Sequence, residues 1–431
     1  MSTEPGKSLV ERDAKVIWHP YTQHKTMQSP LPVVKGDGAY LIIENGTKLL
    51  DATSSWWTNI HGHAHPYIAE KIFEQAKQLE HVIFAGCTHE PAIQLAERLL
   101  PLLPGDFSKI FYSDNGSTAV EVALKMAIQY QGNKAQGTRN KDQETRIKIL
   151  ALRNAYHGDT FGAMSVSERG VFTMAFNEFL FEVVFLDPGK ESLNELNVSL
   201  NEFACFIYEP LLQAAGGMNI YSSEWLNDII CTLKQNDVIC IADEVMTGFG
   251  RTGNLFASEN MHHKPDIICL SKGITGGSLP LAVTACNQKI FDAFLSDDLH
   301  KTFFHGHSYT ANPIACAAAL ASLDLLQKEE CLANIEYISE ENKKFVEILN
   351  ANFSSRISGP RSIGTVLAFE IHSEKKEYLS SIKVQIINLS LEQGVLIRPL
   401  GNTIYIMPPY CITPIQLQKL YSVLELIIKT I

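Results

Sequence analysis

An α/β fold, with a mostly parallel sheet between helices and then a smaller α+β unit, is the architecture this sequence predicts. Three observations carry it. Short apolar runs recur through the middle of the chain: FACFIYE (203–209), VICIA (238–242) and DIICLS (266–271). They are apolar on both faces, as strands of a parallel sheet covered on both sides must be. Helical periodicity alternates with them: STAVEVALKMAIQY places Val120, Ala123, Leu124, Ala127 and Ile128 on one stripe. After residue 324 the pattern changes to mixed helix and strand, the mark of a second, smaller unit.

The remaining elements follow in order. The polar stretch QGNKAQGTRNKDQETR (131–146) reads as a solvated surface connection. Asn312-Pro313 opens the small-residue helix PIACAAALASLDLLQ, with a cap residue followed by proline at the first helical position. GTVLAFEIH reads as a strand, and VLIRP and TIYIMP read as a hairpin around Gly401-Asn402. Thr413-Pro414 begins a final amphipathic helix with Leu417, Leu420, Leu424, Ile427 and Ile431 on one stripe.

Of the 431 residues, 45% are apolar and 19% charged, a core-forming balance, and the formal net charge is -11. That sign disfavours nucleic acid or an anionic membrane as the main partner. Nine cysteines lie scattered without a C-x-x-C pair, several inside apolar runs, as expected of reduced thiols in a cytoplasmic protein. The first residues show no apolar signal region, and no run approaches the roughly 20 apolar residues of a membrane span.

The run GFGRTG (248–253) fits the dinucleotide pattern G-x-G-x-x-G, but its surroundings do not. Asp243 and Glu244 stand between strand and glycines, where they would repel a pyrophosphate. Only about a dozen residues separate Gly253 from the next strand, too few for a crossover helix. The informative residue is Asp243, the first polar position beyond VICIA. The neighbouring run DIICLS leads likewise into Lys272. Ligands of open α/β sheets bind beyond the carboxyl ends of the strands. An acid and a lysine there form either a partly buried salt bridge or the two anchors of pyridoxal phosphate. That cofactor needs a lysine for its Schiff base and an acid to keep its ring nitrogen protonated. Gly116 and Ser117, in the small-residue turn opening a strong helix, offer an anion site or an ordinary cap. Tyr156 offers an aromatic cover or a structural tyrosine.

These residues sit in long motifs. ADEVMTGFGRTG with PDIICLSKGITGG resembles the class III pyridoxal phosphate aminotransferases, as do SDNGSTAVEVALKMA, AYHGDTFGAMS, YEPLLQAAGGM and HGHSYTANPIACAAA. The resemblance implies the fold-type I architecture. It implies an N-terminal segment (1–55) contributing to the small domain and substrate site, a large cofactor domain (56–324) and a C-terminal small domain (325–431). It assigns the Schiff-base lysine to Lys272, the ring-nitrogen acid to Asp243, the phosphate pair to Gly116 and Ser117, and the stacked aromatic to Tyr156. Gly306, His307 and Ser308 match a segment that reaches a partner's cofactor phosphate across a homodimer. Which hydroxyl of Ser308, Tyr309 and Thr310 makes that contact is left open.

WHPYTQ (18–23), TSSWWTNIHGHAHP (53–66) and VLIRPLGNTIYIMPPY (395–410) resemble the branch of the class that aminates 8-amino-7-oxononanoate in biotin synthesis. S-adenosylmethionine is the implied donor and lysine an open alternative. The resemblance puts Tyr21, Trp56 and Arg398 at the substrate, and Tyr21 is counted with Lys272 and Asp243 among the catalytic residues. An indole wall suits an apolar chain, and a guanidinium fork suits its distant carboxylate. Competing expectations are an ω-amino acid–pyruvate aminotransferase, an aminomutase, or a cofactor-binding regulator without turnover. His61, His63 and His65 would share a strand face, but with no carboxylate or cysteine partner expected nearby no metal site is assigned. Glu209, a third acid at a strand end, is given no chemical role.

Overall fold

The apolar runs at 203–209, 238–242 and 266–271 lie side by side as parallel strands in the computed structural model, which describes residues 8–137, 146–190, 193, 199–372 and 382–431. Along the chain the strands are β1 (Val33–Asp37), β2 (Tyr40–Ile43), β3 (Lys48–Asp51), β4 (Phe107–Ser113), β5 (Lys148–Leu152), β6 (Val184–Leu186) and β7 (Phe203–Tyr208). They continue with β8 (Ile239–Asp243), β9 (Ile267–Leu270), β10 (Ala282–Asn287), β11 (Ile357–Ile363), β12 (Val366–Ile371), β13 (Val395–Leu396) and β14 (Thr403–Ile406). A short two-stranded ribbon joins Leu212–Gln213 to Asn219–Ile220.

The central sheet has seven strands in the order β4-β10-β9-β8-β7-β5-β6. All run parallel except β10, which is antiparallel to both neighbours. Strand alternation sends Cys205 and Ile207 to one face and Phe206 and Tyr208 to the other, and all four are buried. The first face is covered by the helix Gly116–Gly137, whose Val120, Ala123, Leu124 and Ala127 are buried against Ile207, Ile241 and Ile267. An apolar run on a doubly covered sheet has no wet face, which is why these strands carry no polar residue until they end.

Two smaller sheets hold the chain's outer parts. β1-β2-β3 accepts β13 in parallel, joining residues 33–51 to the C-terminal part, and β11-β12-β14 is antiparallel. The expected hairpin of VLIRP and TIYIMP is therefore corrected. β13 pairs with β3 and β14 with β12, and a lone bridge from Leu400 to Thr403 marks the turn. Each run finds more backbone partners in a different sheet than it would in the other. The stretch 131–146 is also corrected in part. Residues 131–137 complete the helix Gly116–Gly137, with Gln131 and Asn133 buried. Residues 138–145 lie outside the described residues. The helices Pro313–Leu326 and Pro414–Thr430 start at Asn312 and Thr413, whose side chains accept from the N–H of Ala315 and Gln416 as their cap chemistry predicts.

Candidate active site

β8 and β9 run parallel with Asp243 opposite Cys269, so Asp243 and Lys272 emerge at the same end of adjacent strands. They meet in a cavity of about 750 Å³, whose wall also includes Gly116, Ser117, Tyr156, Trp56 and Tyr21. Seven of the eleven residues singled out from the sequence are thus brought together. Arg398 stands beside them, its guanidinium 5.0 Å from the centre of the Trp56 ring. Gly306, His307 and Ser308 line no part of this cavity. They form a self-bonded turn in which His307 N–H donates to Thr310 Oγ1 (3.2 Å), and Gly306 and Ser308 are exposed.

Lys272 is held at φ 45°, in the left-handed region that non-glycine residues rarely occupy. Its ammonium lies 5.0 Å from the centre of the Trp57 ring. Burial pulls its pKa below the ordinary lysine range; the Asp243 and Glu209 carboxylates oppose this, and the Arg251 guanidinium adds to it. A lysine so placed gives up its proton more readily than one in water. Asp243 is 5% exposed. Its Oδ1 accepts from the N–H of Val245 (3.0 Å), and its Oδ2 lies 2.6 Å from Nδ1 of the fully buried His157. With Asp243 ionised, that imidazole nitrogen is the donor.

The helix Gly116–Gly137 begins at the cavity wall, where first-turn N–H groups lack intrahelical acceptors. Gly116 is required by packing: a Cβ there would sit 2.6 Å from Val245 Cγ1. Gly158, at φ 135°, passes so close to Ser117 that a Cβ would sit 2.3 Å from its Oγ. Ser117 Oγ accepts from Thr160 N–H (3.0 Å), and Glu121 accepts from Gly162 N–H (2.6 Å), so the loop carrying Tyr156 is tied down on this helix.

Tyr156 and Tyr21 join hydroxyls at 3.0 Å, and Tyr21 also donates to Asp159. Burial is the main reason the Tyr156 phenol is pushed well above its ordinary range. Tyr21 meets Trp56 edge-on, with ring centres 5.4 Å apart. Tyr21 and Trp56 make this side of the cavity aromatic, and the exposed Arg398 stacks on Trp56 from outside the lining.

Sequence reasoning missed three participants. His157 lies inside the quoted AYHGDT but had no visible partner. Trp57 was passed over for Trp56, yet it is Trp57 that faces Lys272. Glu209, given no role, lines the cavity at 4% exposure and accepts from the N–H groups of Tyr156 (3.1 Å) and Ala214 (3.0 Å). Glu209 is pushed up to about 7, chiefly by burial and further by Asp243, against His157 and the two N–H groups. A raised carboxyl pKa means the folded protein holds a proton that the unfolded chain releases. Its contribution to stability is complete below the ordinary value of 4.5 and is lost as pH rises to about 7. Glu209→Gln is expected to flatten the fall of the urea midpoint across that window. An unchanged slope in the variant would show that Glu209 does not carry the proton.

One expectation about the histidines is corrected. His63 does have a carboxylate partner, with Nε2 2.9 Å from Asp51 Oδ2, while His61 Nε2 meets Ser322 O at 3.0 Å. Asp51 also accepts from Ser55 N–H (2.6 Å), so this pair braces the turn bearing Trp56 and Trp57. Among the described residues, no group of three or more His, Cys, Asp or Glu is arranged to hold a metal ion.

Residues 21–428 match the family model described as aminotransferase class-III. The adenosylmethionine-8-amino-7-oxononanoate aminotransferase of Synechococcus elongatus is 45% identical over 421 residues, covering 94% of this chain and 96% of that one. That of Helicobacter pylori is 38% identical, covering 96% of each. Among solved structures, the Methanocaldococcus jannaschii protein of the same name superposes with a TM-score of 0.90 at 36% identity, covering 98% of both chains. An amine transaminase from an uncultivated Pseudomonas species, in its PLP-bound form, gives 0.86 at 29% identity, covering 96% of this chain and 98% of that one.

Proposed function

Because the chain belongs to the class-III aminotransferase family, we propose that it moves an amino group from S-adenosylmethionine to the ketone of 8-amino-7-oxononanoate, making 7,8-diaminononanoate. It is a pyridoxal phosphate-dependent enzyme of fold-type I. The observation that carries the reading is the meeting of Lys272, Asp243 and the first turn at Gly116 in one cavity, with Trp56 in its wall and Arg398 stacked on Trp56.

The residues present fit the cofactor. An amine, a buried carboxylate and a helix N-terminus are the donor set it requires, and the close packing of Gly116 on Val245 and of Gly158 on Ser117 fixes the turn at the start of that helix. When bound, the cofactor supplies a covalent anchor for amines and an electron sink for the carbanion at the substrate carbon. Lys272 would provide the anchoring amine, and its Nζ is the base placed to take up and return the proton of the substrate carbon. Burial lowers its pKa, which favours the basic form that accepts a proton. Asp243, oriented by His157 and Val245, would hold the ring nitrogen protonated. Gly116 and Ser117 would hold the phosphate, and Tyr156 would cover the ring. Tyr21 and Trp56 wall the apolar chain of the acceptor, and Arg398 takes its carboxylate. One site serves both half-reactions, so the kinetics are ping-pong.

The enzyme acts as a cytoplasmic homodimer in this reading. Gly306, His307 and Ser308 lie outside their own chain's cavity, on an exposed turn free to serve a second copy. All nine cysteines are free, and no described helix is long and apolar enough to cross a membrane. Residues 56–324 form the cofactor domain, with 1–55 and 325–431 completing the small domain; the pairing of β3 with β13 supports this division.

The test is the near-visible absorbance of the holoenzyme as 7,8-diaminononanoate, S-adenosylmethionine, lysine and alanine are added separately. Diaminononanoate and one of the first two donors are expected to bleach the band. In Arg398→Ala, the diaminononanoate needed should rise by about 10- to 100-fold, the worth of a charge-assisted hydrogen bond, while amines without a distal carboxylate respond as before. Bleaching by alanine alone, with pyruvate then accepted, would leave the fold standing and remove the biotin-pathway assignment.

A further inference from the structure

A second cavity of about 290 Å³ opens beside the active-site cavity, and the two share Tyr156, Gly158, Asp159, Phe172, Ala215 and Leu400 in their walls. Four chain segments enclose it: 154–159, 164–173, 215–217 and 400–403. Phe172 stands at the junction, its ring centre 5.8 Å from those of both Tyr21 and Tyr156. The charged side chains in its wall are Asp159 and Glu168; among the described residues no lysine or arginine lines it. Glu168 is fixed in place, accepting from the N–H of Asn154 (3.0 Å) and of Arg169 (3.1 Å), and its carboxylate keeps lone pairs to spare. Phe172 and Leu400 supply apolar faces.

A ping-pong enzyme must admit two substrates with different tails to one reacting centre. Under the function proposed above, on which this inference rests, the acceptor's tail is an apolar chain ending in a carboxylate. The donor's tail, whether S-adenosylmethionine or lysine, carries a positive charge. One wall cannot favour both. Arg398, stacked 5.0 Å from the centre of the Trp56 ring, suits the carboxylate, and the side cavity carries the opposite charge.

We propose that this side cavity receives the cationic tail of the amino donor, with Glu168 and Asp159 facing its positive charge and Phe172 and Leu400 its apolar part. The cavity is close to the lower end, roughly 300 Å³, of the range usual for small-molecule sites, which is ample for more than an ammonium group. The two acids also repel the acceptor's carboxylate, so each substrate is directed to its own branch.

The experiment uses the holoenzyme and calorimetric binding of dimethylsulfonium adenosine, which lacks the donor's reactive amine, against its neutral thioether methylthioadenosine. Two variants are compared with the wild type. Glu168→Gln removes the charge. Gly170→Leu adds bulk to the cavity wall at a position where a Cβ would meet no atom within 4 Å. The sulfonium is expected to bind about threefold to tenfold more tightly than the thioether, as befits a partly exposed charge pair, and Glu168→Gln to erase that preference. Gly170→Leu should weaken both nucleosides by roughly tenfold or more, losing their apolar burial. The absorbance response to 7,8-diaminononanoate should stay as in the wild type, which also reports that the variants fold.

Should neither nucleoside bind while Glu168→Gln raises the lysine concentration needed for bleaching, the cavity still takes a cationic tail, and that tail is an ammonium. The proposal is overturned if both variants leave nucleoside binding and donor half-saturation unchanged, or if they weaken diaminononanoate as much as the donors. Failure of the underlying function would look different: wild-type enzyme would give no response to diaminononanoate at all.

Discussion

Replacing Lys272 with alanine is expected to lower turnover by at least about 10⁴-fold, the largest loss of any single substitution in this protein. A positioned proton carrier alone contributes roughly 10²–10⁴-fold, and here the same side chain is also the covalent anchor. Among the described residues no other lysine or arginine lines the cavity. Arg251, whose charge acts on Lys272, is 1% exposed and donates to the carbonyls of Pro408 (3.0 Å) and Trp57 (3.4 Å). Its guanidinium also holds its proton too firmly to act as a base. Alanine retains the Cβ and meets the same left-handed backbone at φ 45°, so the variant should fold like the wild type. Single-turnover absorbance with 7,8-diaminononanoate would measure the loss. Substantial multiple turnover by Lys272→Ala would remove the lysine from the mechanism and with it the central assignment.

Asp243→Asn is expected to cost about 10²–10³-fold in turnover, the usual worth of one preorganised electrostatic partner in a water-excluded site. The substitution keeps the size of the side chain and removes its charge. Asp243 ends β8 at 5% exposure, so little water reaches it to take over. His157 would then donate to a neutral amide, and the ring nitrogen would lose the anion that holds its proton. Substrate binding outside the ring should hardly change, so the loss should fall on kcat more than on KM. His157→Gln, which keeps a donor within the loop, should lose far less. An Asp243→Asn enzyme within about fivefold of wild type would mean that the ring nitrogen is not held by this carboxylate.

The two residues on which these expectations rest were legible because the signal for each is local. A doubly covered parallel strand must stay apolar until it ends, so the first polar residue after VICIA, and the lysine soon after its neighbour, marked the edge of the sheet where ligands bind. The small-residue turn before a strong helix was visible for the same kind of reason. Arg398 and Trp56 were different. Their spacing carried little, and only resemblance brought them to the substrate.

What the strands, helix starts and chain stiffness dictate within a few residues, the sequence by itself determined: the α/β class, the main strands, the capped helices at Asn312 and Thr413, and the pair Asp243 and Lys272. What depends on which distant surface a group meets, only the tertiary structure decided. His157 reaches Asp243 across 86 residues, and β13 and β14 leave each other for separate sheets. Trp57 rather than Trp56 faces Lys272 because the turn holding them runs through left-handed backbone at Ser54, Ser55 and Trp57, braced by Asp51. The side cavity has four separate segments for walls and no sequence signature. The physical reason is one of range. Periodicity and capping are energies between near neighbours, whereas pairing and burial are chosen by competition among every surface the chain can bring together.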